Sequence, residues 1–240
     1  MFQTRRSFMR CGCGALLAAA ASSARTRAAQ AATPAKRTDL TPDQALELLK
    51  RGNRDYLTDS PVRSVQGRER RLELARSQMP FATLVSCSDS RVPPELLFGR
   101  GLGELFIVRN AGNTVDTVAL GSIEYAVGVL GVPLVVVMGH ERCGAVDAAV
   151  SVVRDDATFP GSIGRMIEPI VPAVLQARAQ GAADADLADL AVRQNVRRTV
   201  QRLRTASEPM LLEPIRAGRL RIVGARYDLD DGSVDFFDEG

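Results

Sequence analysis

Five short apolar runs stand out along the chain, separated by stretches of helical periodicity. They are 81–86 (FATLVS), 104–108 (ELFIV), 134–138 (LVVVM), 220–223 (LRIV) and 234–237 (VDFF). Their length and β-branched content predict strands. The third run has no polar position, as expected of a strand buried on both faces. Between and after the runs, helical spacing appears over 117–130, 143–153, 162–179 and 184–204. Pro169 and Pro172 should bend or split the third of these. Ser207-Glu208-Pro209 predicts one more short helix, ended by Gly218. Ahead of the first run, Thr41 followed by Pro42 opens a helix with Ala45, Leu46, Leu48, Leu49 and Tyr56 as its apolar set. A second polar-rich helix covers 68–77. These two form an N-terminal helical arm, expected to pack against another subunit. Doubly apolar strands alternating with helices predict an α/β fold with a mainly parallel central sheet flanked by helices.

The first 31 residues follow another pattern. Thr4-Arg5-Arg6-Ser7-Phe8-Met9-Arg10 precedes a small and apolar run from Cys11 to Ala21, and Ala29-Gln30-Ala31 offers a cleavage site. This layout is that of an export signal of the twin-arginine type, and it predicts a periplasmic or otherwise exported protein. Residues 32–40 read as a linker and 41–240 as one catalytic domain. No apolar run reaches the roughly 18 residues of a membrane-spanning helix. The signal also changes the charge. It holds five arginines and no acid, so its loss takes the formal charge from +3 to −2. The basic balance therefore argues for no nucleic-acid partner.

Cysteine usage narrows the chemistry. Of the four cysteines, Cys11 and Cys13 leave with the signal, while Cys87 and Cys143 remain beside the single histidine, His140. Two cysteines in an exported protein ordinarily form a disulfide. Their placement argues otherwise. Cys87-Ser88-Asp89-Ser90-Arg91 follows the first strand. Gly139-His140-Glu141-Arg142-Cys143 follows the third, with Gly139 expected to let the chain turn sharply. Both segments leave the carboxyl ends of parallel strands, where open α/β sheets place their ligands. Cys143 is expected in the first turn of a helix, whose positive end favours thiolate. Two thiolates and an imidazole with a fourth position open is the pattern of catalytic zinc.

Asp89 and Arg91 flank Ser90 beside Cys87. Their opposite charges favour an ionised aspartate. It either accepts a hydrogen bond from water on the metal, orienting it, or takes the fourth metal position itself. The remaining signals are weaker. Gly99, Gly101 and Gly103 precede a strand and make no dinucleotide fingerprint. Arg109 ends the second strand, where it could line the pocket. Asn110 and Asn113 read as turn residues, and Arg197-Arg198 as a solvated helix face.

CSDSR at 87–91, VRNAGN at 108–113, GSIEYAVGVLG at 121–131 and GHERCGA at 139–145 together resemble the β-class carbonic anhydrases, over about residues 40–240. The resemblance implies Zn2+ bound by Cys87, His140 and Cys143, with Asp89 gating the fourth position and Asp89–Arg91 as the catalytic dyad. It implies reversible hydration of carbon dioxide to bicarbonate and a proton by hydroxide on the zinc. It also implies a homodimer or higher homo-oligomer. Hydrolysis of carbonyl sulfide or carbon disulfide on the same site is the near rival. A non-catalytic zinc or redox protein is the distant one. In one respect the chain departs from the pattern. Members with a bicarbonate site beside the zinc carry a Trp where this chain has Leu84, although Arg109 and Tyr227 fall where such members place other groups of that site.

Two thiolates neutralise more of the ion's charge than the three imidazoles of other carbonic anhydrases, in which water on the zinc has a pKa of about 7. Hydration should therefore speed up into mildly alkaline pH. Stopped-flow rates that stay flat from pH 6 upward would contradict this.

Overall fold

The computed structural model describes residues 37–60 and 66–240. The expected export signal, and the linker up to residue 36, lie outside them. Among the described residues no helix is long and apolar enough to cross a membrane.

The centre is a five-stranded sheet in the order β2-β1-β3-β4-β5. Its strands are β1 (Ala82–Cys87), β2 (Leu105–Asn110), β3 (Leu134–His140), β4 (Arg221–Tyr227) and β5 (Val234–Asp238). The first four pair in parallel, and β5 closes one edge antiparallel to β4. Every residue of β1 and β3 is buried. This is the doubly covered sheet expected from runs without a polar face. On one face Leu84, Val136, Met138 and Ala225 pack against Ala45, Leu46 and Leu49 of α1 (Pro42–Leu57) and Leu97 of the short α3 (Pro94–Leu97). On the other, Val85, Val135, Val137 and Ile222 meet Ile123 of α4 (Thr117–Glu124) and Val196 and Val200 of α8 (Leu187–Arg204). A third cluster joins Cys87 and Cys143 to α5 (Gly144–Asp155), α7 (Val171–Ala179) and α8.

α1 starts with a capping box. Thr41 Oγ1 accepts the Gln44 N–H at 3.2 Å, and Gln44 Oε1 accepts the Thr41 N–H at 2.9 Å. Its apolar residues Ala45, Leu46 and Leu49 pack beneath the sheet of this chain. α2 (Arg68–Leu74) buries no residue. The helix expected over 117–130 stops being α-helical after Glu124. Tyr125–Val129 widens into a π turn in which Leu130 N–H reaches back to Tyr125 O, and Gly131 at φ 73° ends it. The two prolines act as expected. Pro169 sits in a one-turn 3-10 segment, Glu168–Ile170, between α6 (Gly161–Ile167) and α7, and Pro172 occupies the first turn of α7, where its missing N–H costs nothing. α9 (Pro209–Arg216) precedes β4.

Gly139 does not turn the chain. It lies inside β3, and the turn falls at Arg142, φ 48°. Its role is close approach. A Cβ there would stand 2.7 Å from Val192 Cγ1 and 2.9 Å from Val196 Cγ2. Gly224 on the neighbouring strand meets Val196 in the same way, at 2.9 Å. α8 is thus seated in a notch cut by two glycines. Gly139→Ala should lift α8 off the sheet and cost about 1–3 kcal/mol. Urea unfolding measures the loss, and unchanged stability would contradict the notch.

Candidate metal centre

The parallel pairing of β1 with β3 brings Cys87 and His140, the last residues of the two strands, to one end of the sheet. The left-handed turn at Arg142 then returns the chain so that Cys143 arrives beside them. Cys143 is the N-cap of α5 rather than a residue of its first turn. The ligand atoms of Cys87, His140 and Cys143 all lie within 4.8 Å of one another, and all three residues are buried.

Each of the three atoms is prepared for a cation. The His140 ring is fully buried, and its Nδ1–H donates to Glu141 O at 2.8 Å. A carbonyl only accepts, so Nδ1 carries the hydrogen and Nε2 keeps a lone pair. That Nε2 is buried with no hydrogen-bond partner, an arrangement that costs free energy unless something electrophilic meets it. The sulfurs stand 3.9 Å apart and both cysteines are free. A disulfide would need about 2.05 Å. Two thiolates about 2.3 Å from a tetrahedral zinc would stand ~3.8 Å apart. The hydrogen bond from Cys143 holds the Cys87 thiol below its ordinary range against the opposing effect of burial, with the His140 imidazole and then the N–H groups of Gly112 and Asp89 adding to it. The same bond and burial push Cys143 up, although N–H groups at the start of α5 oppose this. Ionising both sulfurs together needs a positive charge beside them, which a divalent cation provides. These donors fit zinc.

Asp89 stands next to this set. Its Oδ2 is 3.8 Å from His140 Nε2, but both oxygens are turned to Arg91. Oδ1 accepts from Arg91 N–H at 2.9 Å and Nε at 3.0 Å, and Oδ2 from Nη2 at 2.8 Å. The guanidinium holds the Asp89 carboxyl well below the usual carboxylate range. Arg91 Nη2 also donates to Arg142 O at 3.4 Å, tying the two loops together.

Arg109 faces the backbone rather than an open pocket. It donates to Cys87 O at 2.8 Å and to Asp89 O at 2.6 Å, clamping the loop between them. Asn110 is a turn residue as expected, since its side chain closes on Thr114 N and O. Leu84 and Tyr227 belong to the core beneath α1, and burial there pushes the Tyr227 hydroxyl up to about 12. Two contributors went unread in the sequence. Gly112 N–H donates to Cys87 Sγ at 3.3 Å, and Asn195 Nδ2 donates to Gly112 O at 2.9 Å. The available signal was a buried polar residue inside the apolar stripe of α8. Each member of a second acidic group, Glu141, Asp228 and Asp230, is already ion-paired to Arg142 or Arg226.

Residues 82–234 match the family model described as carbonic anhydrase. Carbonic anhydrase 2 of Mycobacterium tuberculosis is 43% identical over 192 residues, which is 80% of this chain and 90% of that protein. The carbonic anhydrase of Mycolicibacterium smegmatis is 41% identical over 194 residues, covering 81% and 92%. This chain belongs to the β-class carbonic anhydrases. Among solved structures, the β-carbonic anhydrase CafA of Aspergillus fumigatus superposes with a TM-score of 0.65 at 28% identity, over 72% of this chain and 82% of that one. A tetrameric β-carbonic anhydrase from Sordaria macrospora gives 0.63 at 26%, over 69% and 84%. The family's reaction is hydration of carbon dioxide, and this chain is a carbonic anhydrase of that kind, a lyase with a Cys-His-Cys group able to hold a metal. The sulfur separation makes a prediction. Peptides from the unreduced protein should carry Cys87 and Cys143 unlinked, and a Cys87–Cys143 bridged peptide in the mass spectrum would contradict the geometry.

Proposed function

We propose that Cys87, His140 and Cys143 hold one Zn2+ per chain, and that Asp89, locked to Arg91, orients the water that attacks carbon dioxide. The observation that carries this is the buried Nε2 of His140, without a hydrogen-bond partner and within 4.8 Å of two sulfurs that stand 3.9 Å apart. When bound, zinc supplies the Lewis acidity that makes water a nucleophile near neutral pH.

The chain's own residues do the rest. Asp89 is an acceptor only, because Arg91 keeps it ionised. With both oxygens fixed by Arg91, its remaining lone pairs accept the hydrogen of the reacting water and aim that water's free lone pair at the carbon of carbon dioxide. Arg109 and Gly112 hold the Cys87 loop so that this aim is kept. His140 has one ring nitrogen on Glu141 O and the other in the ligand set, so it cannot carry the released proton away. Buffer or a tyrosine takes that proton.

The arginine pair at residues 5 and 6, with five arginines and no acid in 1–31, supports export by the twin-arginine route. That route carries folded proteins, so the thiolates would be metallated before meeting an oxidising compartment. We also read the chain as a homodimer or larger homo-oligomer. Val118, Tyr125 and Val129 on and after α4 are exposed apolar residues, a surface suited to a second copy.

Asp89→Asn tests the assignment. The amide cannot take the carboxylate's place on Arg91, so kcat for carbon dioxide hydration should fall about 100-fold or more. Zinc by elemental analysis should stay at one per chain. Full activity in the variant, or loss of zinc with it, would overturn the assigned role.

A further inference from the structure

A cleft of about 720 Å3 lies between the 110–115 loop, α7 and α8, apart from the metal centre. Its walls include Gln176 of α7 and Gln194, Arg197, Arg198, Gln201 and Arg202 of α8. The one acidic residue in the lining, Asp238, is taken up by Arg204 at 2.7 Å. Three guanidiniums therefore line a concavity with no free carboxylate to balance them. Arg197 rests over the Phe237 ring at 5.0 Å, and Arg202 Nη1 donates to Val115 O. Among the described residues Arg198 has neither an ion pair nor a hydrogen-bond partner for its side chain. Positions 194, 198 and 202 repeat at helical spacing, so these groups point the same way. The Arg197-Arg198 pair is exposed, as a solvated face would be, but it is exposed into a cleft.

The cleft also touches the metal centre's support. Asn195, another of its lining residues, donates to Gly112 O at 2.9 Å, and Gly112 N–H donates to Cys87 Sγ at 3.3 Å. Arg202 holds the same loop three residues further on, at Val115 O. Beside Asn110, which holds Thr114, two anchors of the 112–115 segment are thus α8 side chains from the cleft wall.

We propose that this cleft binds a small organic polyanion bearing phosphate or carboxylate groups, and that its occupancy reaches Cys87 through Asn195 and Gly112. The volume suits a metabolite-sized molecule. Arginine forks match either oxyanion in bidentate fashion. An oxyanion on Arg202 competes with Val115 O for its N–H groups, which releases one anchor of the loop. A change in the N–H···S bond from Gly112 alters the charge on the sulfur, and outer hydrogen bonds of this kind tune a metal ligand. The relay rests on the reading of Cys87 as a ligand, but the binding does not.

The test titrates pyrophosphate and citrate separately into the full chain by calorimetry at constant ionic strength, with sodium chloride as control. The amide resonance of Gly112 is followed in parallel by 15N–1H NMR. At least one of the two probes should bind saturably while chloride does not. Arg198→Gln should weaken it roughly tenfold or more, and the Gly112 resonance should move with the same midpoint. Pyrophosphate alone would assign a phosphate ligand, and citrate alone a carboxylate. No saturable binding of either would overturn the proposal. So would binding that Arg198→Gln leaves untouched, or binding that leaves Gly112 unmoved. Neither readout uses zinc or turnover, so failure here is distinguishable from failure of the proposed function.

Discussion

The pairing of β1 with β3 is the constraint on which the rest depends. Both strands are buried along their whole length, in parallel, with Ser86 opposite Met138. Burial on both faces makes a one-residue slip costly, because it would exchange the core packing of every side chain. That register ends the two strands together, so Cys87 and His140 emerge side by side. The third donor, the Cys143 sulfur, needs only the left-handed turn at Arg142 and the start of α5. The donor set is therefore placed by strand pairing and one turn rather than by a flexible loop, as a preorganised site requires.

Around this core the supporting contacts form two layers. Arg91 and Arg109 act on the Cys87 loop, one through the Asp89 carboxylate and the other through two backbone carbonyls. Behind them α8, seated on Gly139 and Gly224, presents Asn195 to Gly112. The glycine notch thus does more than fill space. Its depth sets how near α8 comes to the loop, and so whether the N–H of Gly112 reaches the sulfur. Stability and site geometry share the same contacts, and a Cβ in the notch would disturb both.

Much of this was legible in the sequence, for identifiable reasons. Strands β1 and β3 announced themselves because a doubly buried strand has no polar position. The meeting of Cys87, His140 and Cys143 followed from three chemically distinctive residues at two strand ends. What was missed lies where the determining contact is made by backbone or by residues distant in sequence. Gly139 read as a turn residue, because close helix approach and chain reversal both select glycine. Arg109 read as a pocket residue, although its partners are carbonyls that no side-chain pattern reveals. Asn195 lies more than 80 positions from its partner. The break in 117–130 was hidden because a π turn keeps the apolar composition of the helix it ends.

The most direct test of the central claim is zinc-edge X-ray absorption on the purified protein. The account predicts two sulfurs at about 2.3 Å, one imidazole nitrogen at about 2.0–2.1 Å, and one further light-atom ligand. A shell without sulfur, or with a single sulfur, would contradict it.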